Sequence, residues 1–142
     1  MRQAYRLLAN LIALLVLVQL AAIGLAWFTT INEVDDGSGK VFTGSEDDYN
    51  IGHLIHSLGA VAIALVALIL MIVSFFAKVD GGVKWAGYVL LVVVLQWVLA
   101  IVAFAVPVVG ALHALNAMAV AGLASIAARR TLATPQQAPV SA

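Results

Sequence analysis

A chain of 142 residues with 64% apolar positions, 10% charged positions and a mean hydropathy of +1.10 does not fit a water-soluble domain, in which about a quarter of residues are charged. Seven Lys and Arg balance seven Asp and Glu, which leaves no basic footprint for nucleic acid. The absence of cysteine excludes disulfides, thiolate metal sites, iron–sulfur clusters and cysteine nucleophiles.

A helix needs about 20 apolar residues to cross the hydrocarbon core. Stretches of that kind run over about 7–30, 51–77, 85–106 and 108–128. Arg2 and Arg6 precede the first, as in a signal peptide, but the apolar run exceeds the roughly 7 to 15 residues of a signal core and reads as a span. Residues 31–50 form an acidic, turn-rich outer loop, with Glu33, Asp35, Asp36, Glu46, Asp47 and Asp48 opposed only by Lys40 and interrupted by Gly37, Gly39 and Gly44. The second and third spans are joined by the short segment Lys78 to Lys84, and the third and fourth through Pro107, with Gly110 nearby. Short connections make neighbouring helices antiparallel. The tail 131–142, with Pro135, Gln136, Gln137 and Pro139, has too little apolar surface to fold and is expected to be disordered. The expected fold class is all-α: an integral membrane up-down-up-down four-helix bundle, one domain over 1–130.

Six of the seven basic residues, Arg2, Arg6, Lys78, Lys84, Arg129 and Arg130, fall on one side of that arrangement. The positive-inside rule then makes both termini cytoplasmic in a multi-pass cell-membrane protein. Tyr5, Trp85 and Tyr88 belong to the inner aromatic belt and Trp27 and Tyr49 to the outer one, whereas Trp97 is mid-span and expected to pack.

The chain also resembles a duplication. Aligning the first and third spans on their only glutamines sets Gln19 over Gln96, and aligning the second and fourth on histidine sets Ile55-His56-Ser57-Leu58-Gly59-Ala60 over Leu112-His113-Ala114-Leu115-Asn116-Ala117. Alanine-rich helices match one another cheaply, so only these polar landmarks carry weight.

An ionisable side chain inside a span is costly and reads as functional by default. His56 and His113 each stand about five residues into a helix, roughly 8 Å below the outer boundary at 1.5 Å per residue. Helices on the diagonal of a four-helix bundle are roughly 12 to 14 Å apart, too wide for two imidazoles to touch but suited to two imidazoles with an iron porphyrin between them. Gly59, one turn deeper, leaves room for a macrocycle, and Asn116 is placed to hydrogen-bond a haem edge or a neighbouring helix. His53 lies near the interface, within reach of a propionate or water, or simply bonded to backbone. Gln19 and Gln96 occupy the other diagonal, where each must find a hydrogen-bond partner, and helix-to-helix bonding is the plainer role. Alternatives stay open: His53, His56 and His113 as a three-histidine zinc or copper site, a quinone site, or histidines that only hydrogen-bond in an accessory subunit of a larger membrane complex.

Other patterns carry no chemistry. The glycines around Lys40 lack the strand-turn-helix context of a phosphate loop, the loop aspartates lack EF-hand spacing, and Ser57 points about 100° away from His56 on a helix.

On Gln19, His53-Leu54-Ile55-His56, Leu95-Gln96 and Leu112-His113, the chain over about 11–128 resembles one four-helix half of haem A synthase. It is also similar to small uncharacterised four-helix membrane proteins of actinobacterial type. The resemblance implies that His56 and His113 are the axial ligands of a haem. His53 stands where the family has an acidic residue, Ser57 where an arginine follows the ligand, and Ala22-Ile23-Gly24-Leu25-Ala26 where a Gly-Gly and arginine segment ends the first helix. These departures, and one ligand pair instead of two, count against methyl oxidation of haem. The expected function is binding of b-type haem (haem b) by two histidines, for electron transfer or haem handling near the outer leaflet, with the bilayer and a membrane redox partner as its surroundings.

Overall fold

The computed structural model describes residues 1–35 and 49–132, so the expectations placed on the acidic segment 36–48 and the tail 133–142 lie outside the described residues. The chain is all-helical there: α1 (Arg2–Asp35), α2 (Ile51–Ser74), α3 (Gly82–Ala105) and α4 (Val109–Arg130). All four are long and apolar enough to cross a membrane, where only a helix satisfies its own backbone. Each helix packs on its two neighbours, α1 on α2 and α4, and α3 on α2 and α4, so α1/α3 and α2/α4 are the diagonals of a square bundle.

The helix ends depart from the hydropathy boundaries for local reasons. α1 extends beyond 7–30 at both ends because the hydrogen-bond ladder needs no apolar side chain to continue into Tyr5 or Glu33. α2 stops at Ser74, short of the expected 77: Phe75 and Phe76 donate to Ile72 and Val73 (3.4 and 3.0 Å), tightening the last turn. Lys78 (φ 50°) and Gly81 (φ 65°) then reverse the chain into α3. Pro107 cannot continue α3. Val109 and Gly110 donate to Val106 and Pro107 (both 2.9 Å), so α4 follows after a single turn.

The buried residues of α1 are Tyr5, Ala9, Ile12, Val16, Gln19, Ala22, Ala26 and Thr30, spaced by three and four, a seam along one face. At the end of the bundle that carries Arg2, Lys84 and Arg130, this seam meets Leu70, Val89 and Ala127 in a closed apolar core. Here Tyr5 departs from its expected belt position. It is fully buried, and its hydroxyl donates to the Gly82 carbonyl (2.9 Å), because the extended α1 carries the ring inside the bundle. Trp85 and Tyr88 stand edge to face at 5.7 Å at this same end of the bundle, with the Arg130 guanidinium 5.1 Å from the Trp85 ring.

The opposite end is built differently. α1 and α2 stay close, since a Cβ on Gly52 would lie 2.7 Å from the Ala22 carbonyl oxygen, and the Asn50 amide donates to Ala26 O (2.9 Å) and to Thr30 Oγ1 (3.3 Å). By contrast, α3 has no buried residue beyond Val93 and α4 none before Val120. The bundle is therefore sealed at its basic end and loosely packed at the other.

Candidate functional site

In the loosely packed half, all four helices border one cavity of about 280 Å³. Its wall is almost wholly apolar, and the polar side chains in it are Gln19, His56, Gln96, His113 and the Trp97 indole. His56 is the sixth residue of α2 and His113 the fifth of α4, so the two share one depth on diagonally opposed helices. The diagonal gap was expected to keep the imidazoles out of contact. The two side chains reach inward further than that, and their ring centroids lie 6.3 Å apart at an interplanar angle of 62°, at the outer range of an edge-to-face pair.

His113 is held by a complete polar clamp. Asn116 on α4 donates to Gln96 Oε1 (2.6 Å) and to the Val92 carbonyl (2.8 Å) on α3. That fixes which end of the Gln96 amide is nitrogen, and Nε2 donates to His113 Nε2 and to the His113 carbonyl, both at 3.0 Å. With Nε2 accepting, the proton of this imidazole sits on Nδ1, which donates to the Gln96 carbonyl (3.1 Å). Gln96 and Asn116 thus join α3 to α4, the plainer of the two roles open to each, and they orient His113 while doing so.

The α1/α2 half repeats the pattern incompletely. Gln19 Nε2 donates to the Ile55 carbonyl, one residue from the position that His113 O has in the other half, over a longer 3.5 Å. Gln19 Oε1 and His56 Nδ1 are both buried without a hydrogen-bond partner. Gln19 Oε1 lacks a donor because Gly59, which occupies the position of Asn116 in the repeat, has no amide to offer. The sequence reading reserved the space at Gly59 for a macrocycle. That space is taken instead by the Gln19 amide, which a Cβ at Gly59 would strike.

His53 is not part of this cavity wall. Its Nδ1 accepts from the Asn50 N–H (3.3 Å) while the Asn50 side chain accepts from Gly52 N (3.0 Å), a reciprocal cap at the start of α2, and its ring stands edge-on to Tyr49 at 5.3 Å. Among the described residues no three His, Asp or Glu side chains come together to hold a metal ion. The three histidines are not gathered as a metal site there, and His53 Nδ1 is engaged in the cap of α2. Sequence reasoning missed Asn50 and Gly52. The signal for the first was Asn three residues ahead of a hydrogen-bonding side chain at the head of an apolar run.

What the arrangement offers chemically is two imidazole rings lining a mostly apolar space, His113 with both ring nitrogens bonded to Gln96 and His56 with Nδ1 unpaired, and no carboxylate in the wall. This suits ligation or hydrogen bonding of a largely apolar group. The chain matches no family model, and comparison with curated proteins and with solved structures finds none that is similar.

Proposed function

We propose that this four-helix membrane protein binds one b-type haem between His56 and His113 and serves electron transfer or haem handling. The observation that carries the reading is the pair of imidazoles from opposed helices, at one depth, with centroids 6.3 Å apart in an apolar cavity. Two imidazoles on one iron have centroids about 6 Å apart, taking about 2 Å for each metal–nitrogen bond and about 1 Å from nitrogen to ring centre.

The residues present fit the group in further respects. His113 already carries its proton on Nδ1 and gives it to a carbonyl, the outer hydrogen bond that ligating histidines use to fix their orientation. Gln96 would have to release His113 Nε2 while keeping the His113 carbonyl, the loss of one bond of about 1 kcal/mol. At about 280 Å³ the cavity lies just under the range of roughly 300 to 1,000 Å³ typical of ligand pockets, and the absence of buried residues between Val93 and Val120 lets the α3 and α4 ends yield. Bound haem would supply a one-electron iron couple whose potential this apolar wall tunes.

The charge distribution supports a cell-membrane orientation with both termini cytoplasmic, which puts the cavity in the outer half of the bilayer. A cysteine replacing Tyr49 should then react with an impermeant reagent in intact cells; labelling only after lysis reverses the orientation.

A second reading has its own support in the Gln96, His113 and Asn116 clamp, which satisfies His113 without any ligand and suits an accessory subunit of a larger membrane complex. A reduced-minus-oxidised spectrum of the detergent-purified chain, after haem supplementation, separates the two. A Soret band lost in both His56→Ala and His113→Ala is the expected result. A wild type without one removes the haem reading, and metal analysis of the same sample distinguishes iron from zinc or copper.

A further inference from the structure

The two histidines of the cavity are unequally held. Around His113 both ring nitrogens and both ends of the Gln96 amide are paired. On the other wall, Gln19 is only 8% exposed, yet its side-chain oxygen has no donor, and His56 Nδ1 is buried without a partner. Leaving a buried polar group unpaired is costly, most of all where lipid surrounds the bundle.

These two orphans are complementary and close. Both residues line the same cavity, Gln19 reaches α2 at Ile55, directly before His56, and its amide rests on Gly59, three residues after it. The Ile55 carbonyl needs a donor, which fixes Nε2 as the end of the amide turned to α2 and leaves Oε1 as the acceptor. A neutral imidazole with its proton on Nδ1 is the donor that this oxygen lacks. No acceptor other than Gln19 Oε1 is orphaned among the buried side chains described.

We infer that Gln19 is a positioning residue for His56: a small rotation lets its Oε1 accept the Nδ1–H of the imidazole, which fixes the tautomer and leaves Nε2 as the nitrogen available to a ligand. Gly59 is glycine because the Gln19 amide must lie against α2 to do this. His113 reaches the same tautomer through the Gln96 backbone carbonyl; the Gln19 backbone likewise lies against the His56 ring, and the Gln19 side-chain oxygen adds the acceptor that Nδ1 lacks. The inference deepens the haem reading, on which it rests only for what Nε2 then binds.

The test needs no haem. In the full chain in detergent micelles with ¹⁵N-labelled histidine, at about pH 8, above the ordinary imidazole range, long-range proton–nitrogen spectra distinguish Nδ1–H from Nε2–H rings. Signals are assigned with His53→Ala, His56→Ala and His113→Ala. Wild-type His56 should be Nδ1–H. In Gln19→Met, which keeps the length and removes the acceptor, its Nε2–H fraction should rise roughly five- to tenfold, the scale of one hydrogen bond. Gly59→Ala, which displaces the same amide from the opposite helix, should do likewise, with His113 remaining Nδ1–H in both as the sign of an intact bundle. Wild-type His56 in the Nε2–H form, or a tautomer indifferent to both substitutions, overturns the inference. A tautomer that depends on Gln19 in a protein that takes up no haem removes the haem reading alone. Haem uptake with an indifferent tautomer removes the Gln19 role alone.

Discussion

Asn116→Leu weighs the clamp that holds α3 against α4. The substitution keeps the branched outline of the side chain, at a larger volume, and deletes two hydrogen bonds, to Gln96 Oε1 at 2.6 Å and to the Val92 carbonyl at 2.8 Å. Hydrogen bonds between helices in a membrane contribute about 0.6 kcal/mol on average and about 1.7 at most. Two of them come to about 1 to 3 kcal/mol, a roughly five- to hundredfold shift in the folded-to-unfolded ratio. Because Asn116 is only half buried, the added methyl groups gain little to offset this. The assay is reversible unfolding in mixed micelles of increasing denaturing detergent, followed by helical circular dichroism and tryptophan emission, for wild type, Asn116→Leu, Gln96→Leu and the double variant. A shared bond implies coupling of about 0.5 to 2 kcal/mol between the two sites. Asn116→Leu within about 0.3 kcal/mol of wild type, or a double variant equal to the sum of the singles, refutes the claim that this clamp joins the two helices.

Two further substitutions probe the rest of the frame. In Gly52→Ala the new methyl would lie 2.7 Å from the Ala22 carbonyl oxygen, against 3.4 Å or more for ordinary contact. The α1 and α2 backbones must part, a destabilisation of about 1 to 3 kcal/mol. Gly24→Ala and Gly122→Ala, with nothing within 4 Å, serve as matched controls that lose nothing and gain up to about 1 kcal/mol in helix propensity. Equal melting temperatures for all three would contradict close α1/α2 contact. Tyr5→Phe removes the donor to the Gly82 carbonyl and should cost about 0.5 to 1.5 kcal/mol, with faster amide exchange in the turn over 78–82. Unchanged exchange there would mean that the hydroxyl does not hold the turn.

The parts of this architecture that were legible in sequence are those that depend on one helix at a time. Four apolar runs specify four helices, and counting inward from Ile51 and Val109 places His56 and His113 at one depth before any packing is known. Short connections then make α2 and α4 diagonal. What could not be read depends on which faces meet. Tyr5 near a charged terminus looks like an interfacial ring, and only the continuation of α1 to Arg2 turns it into the core. Gly59 looks like space left for a ligand, and only the rotation of α1 shows that a glutamine fills it. The glutamines were recognisable as groups that must find partners. That Gln96 would be satisfied and Gln19 only half satisfied follows from Asn116 and Gly59, a difference visible in the duplicated alignment but without meaning until the helices are packed.

That difference makes the two sides of the cavity mechanically unequal. In lipid, an apolar side chain gains little by leaving acyl chains for another helix, so where α3 and α4 lack buried residues their separation is set by polar bonds. Three side chains, Gln96, His113 and Asn116, form those bonds, and each supports the others' geometry. Turning the His113 ring would break its bonds to Gln96 at both ring nitrogens. The His56 ring has no such restraint at Nδ1, and its neighbour Gln19 has a single 3.5 Å bond to α2 with the oxygen unpaired. A group bridging the two rings, as proposed, would therefore be held more firmly from α4 than from α2. Strain imposed by a change in the size or charge of such a group would then fall on His56, whose Nδ1 has no hydrogen-bond partner.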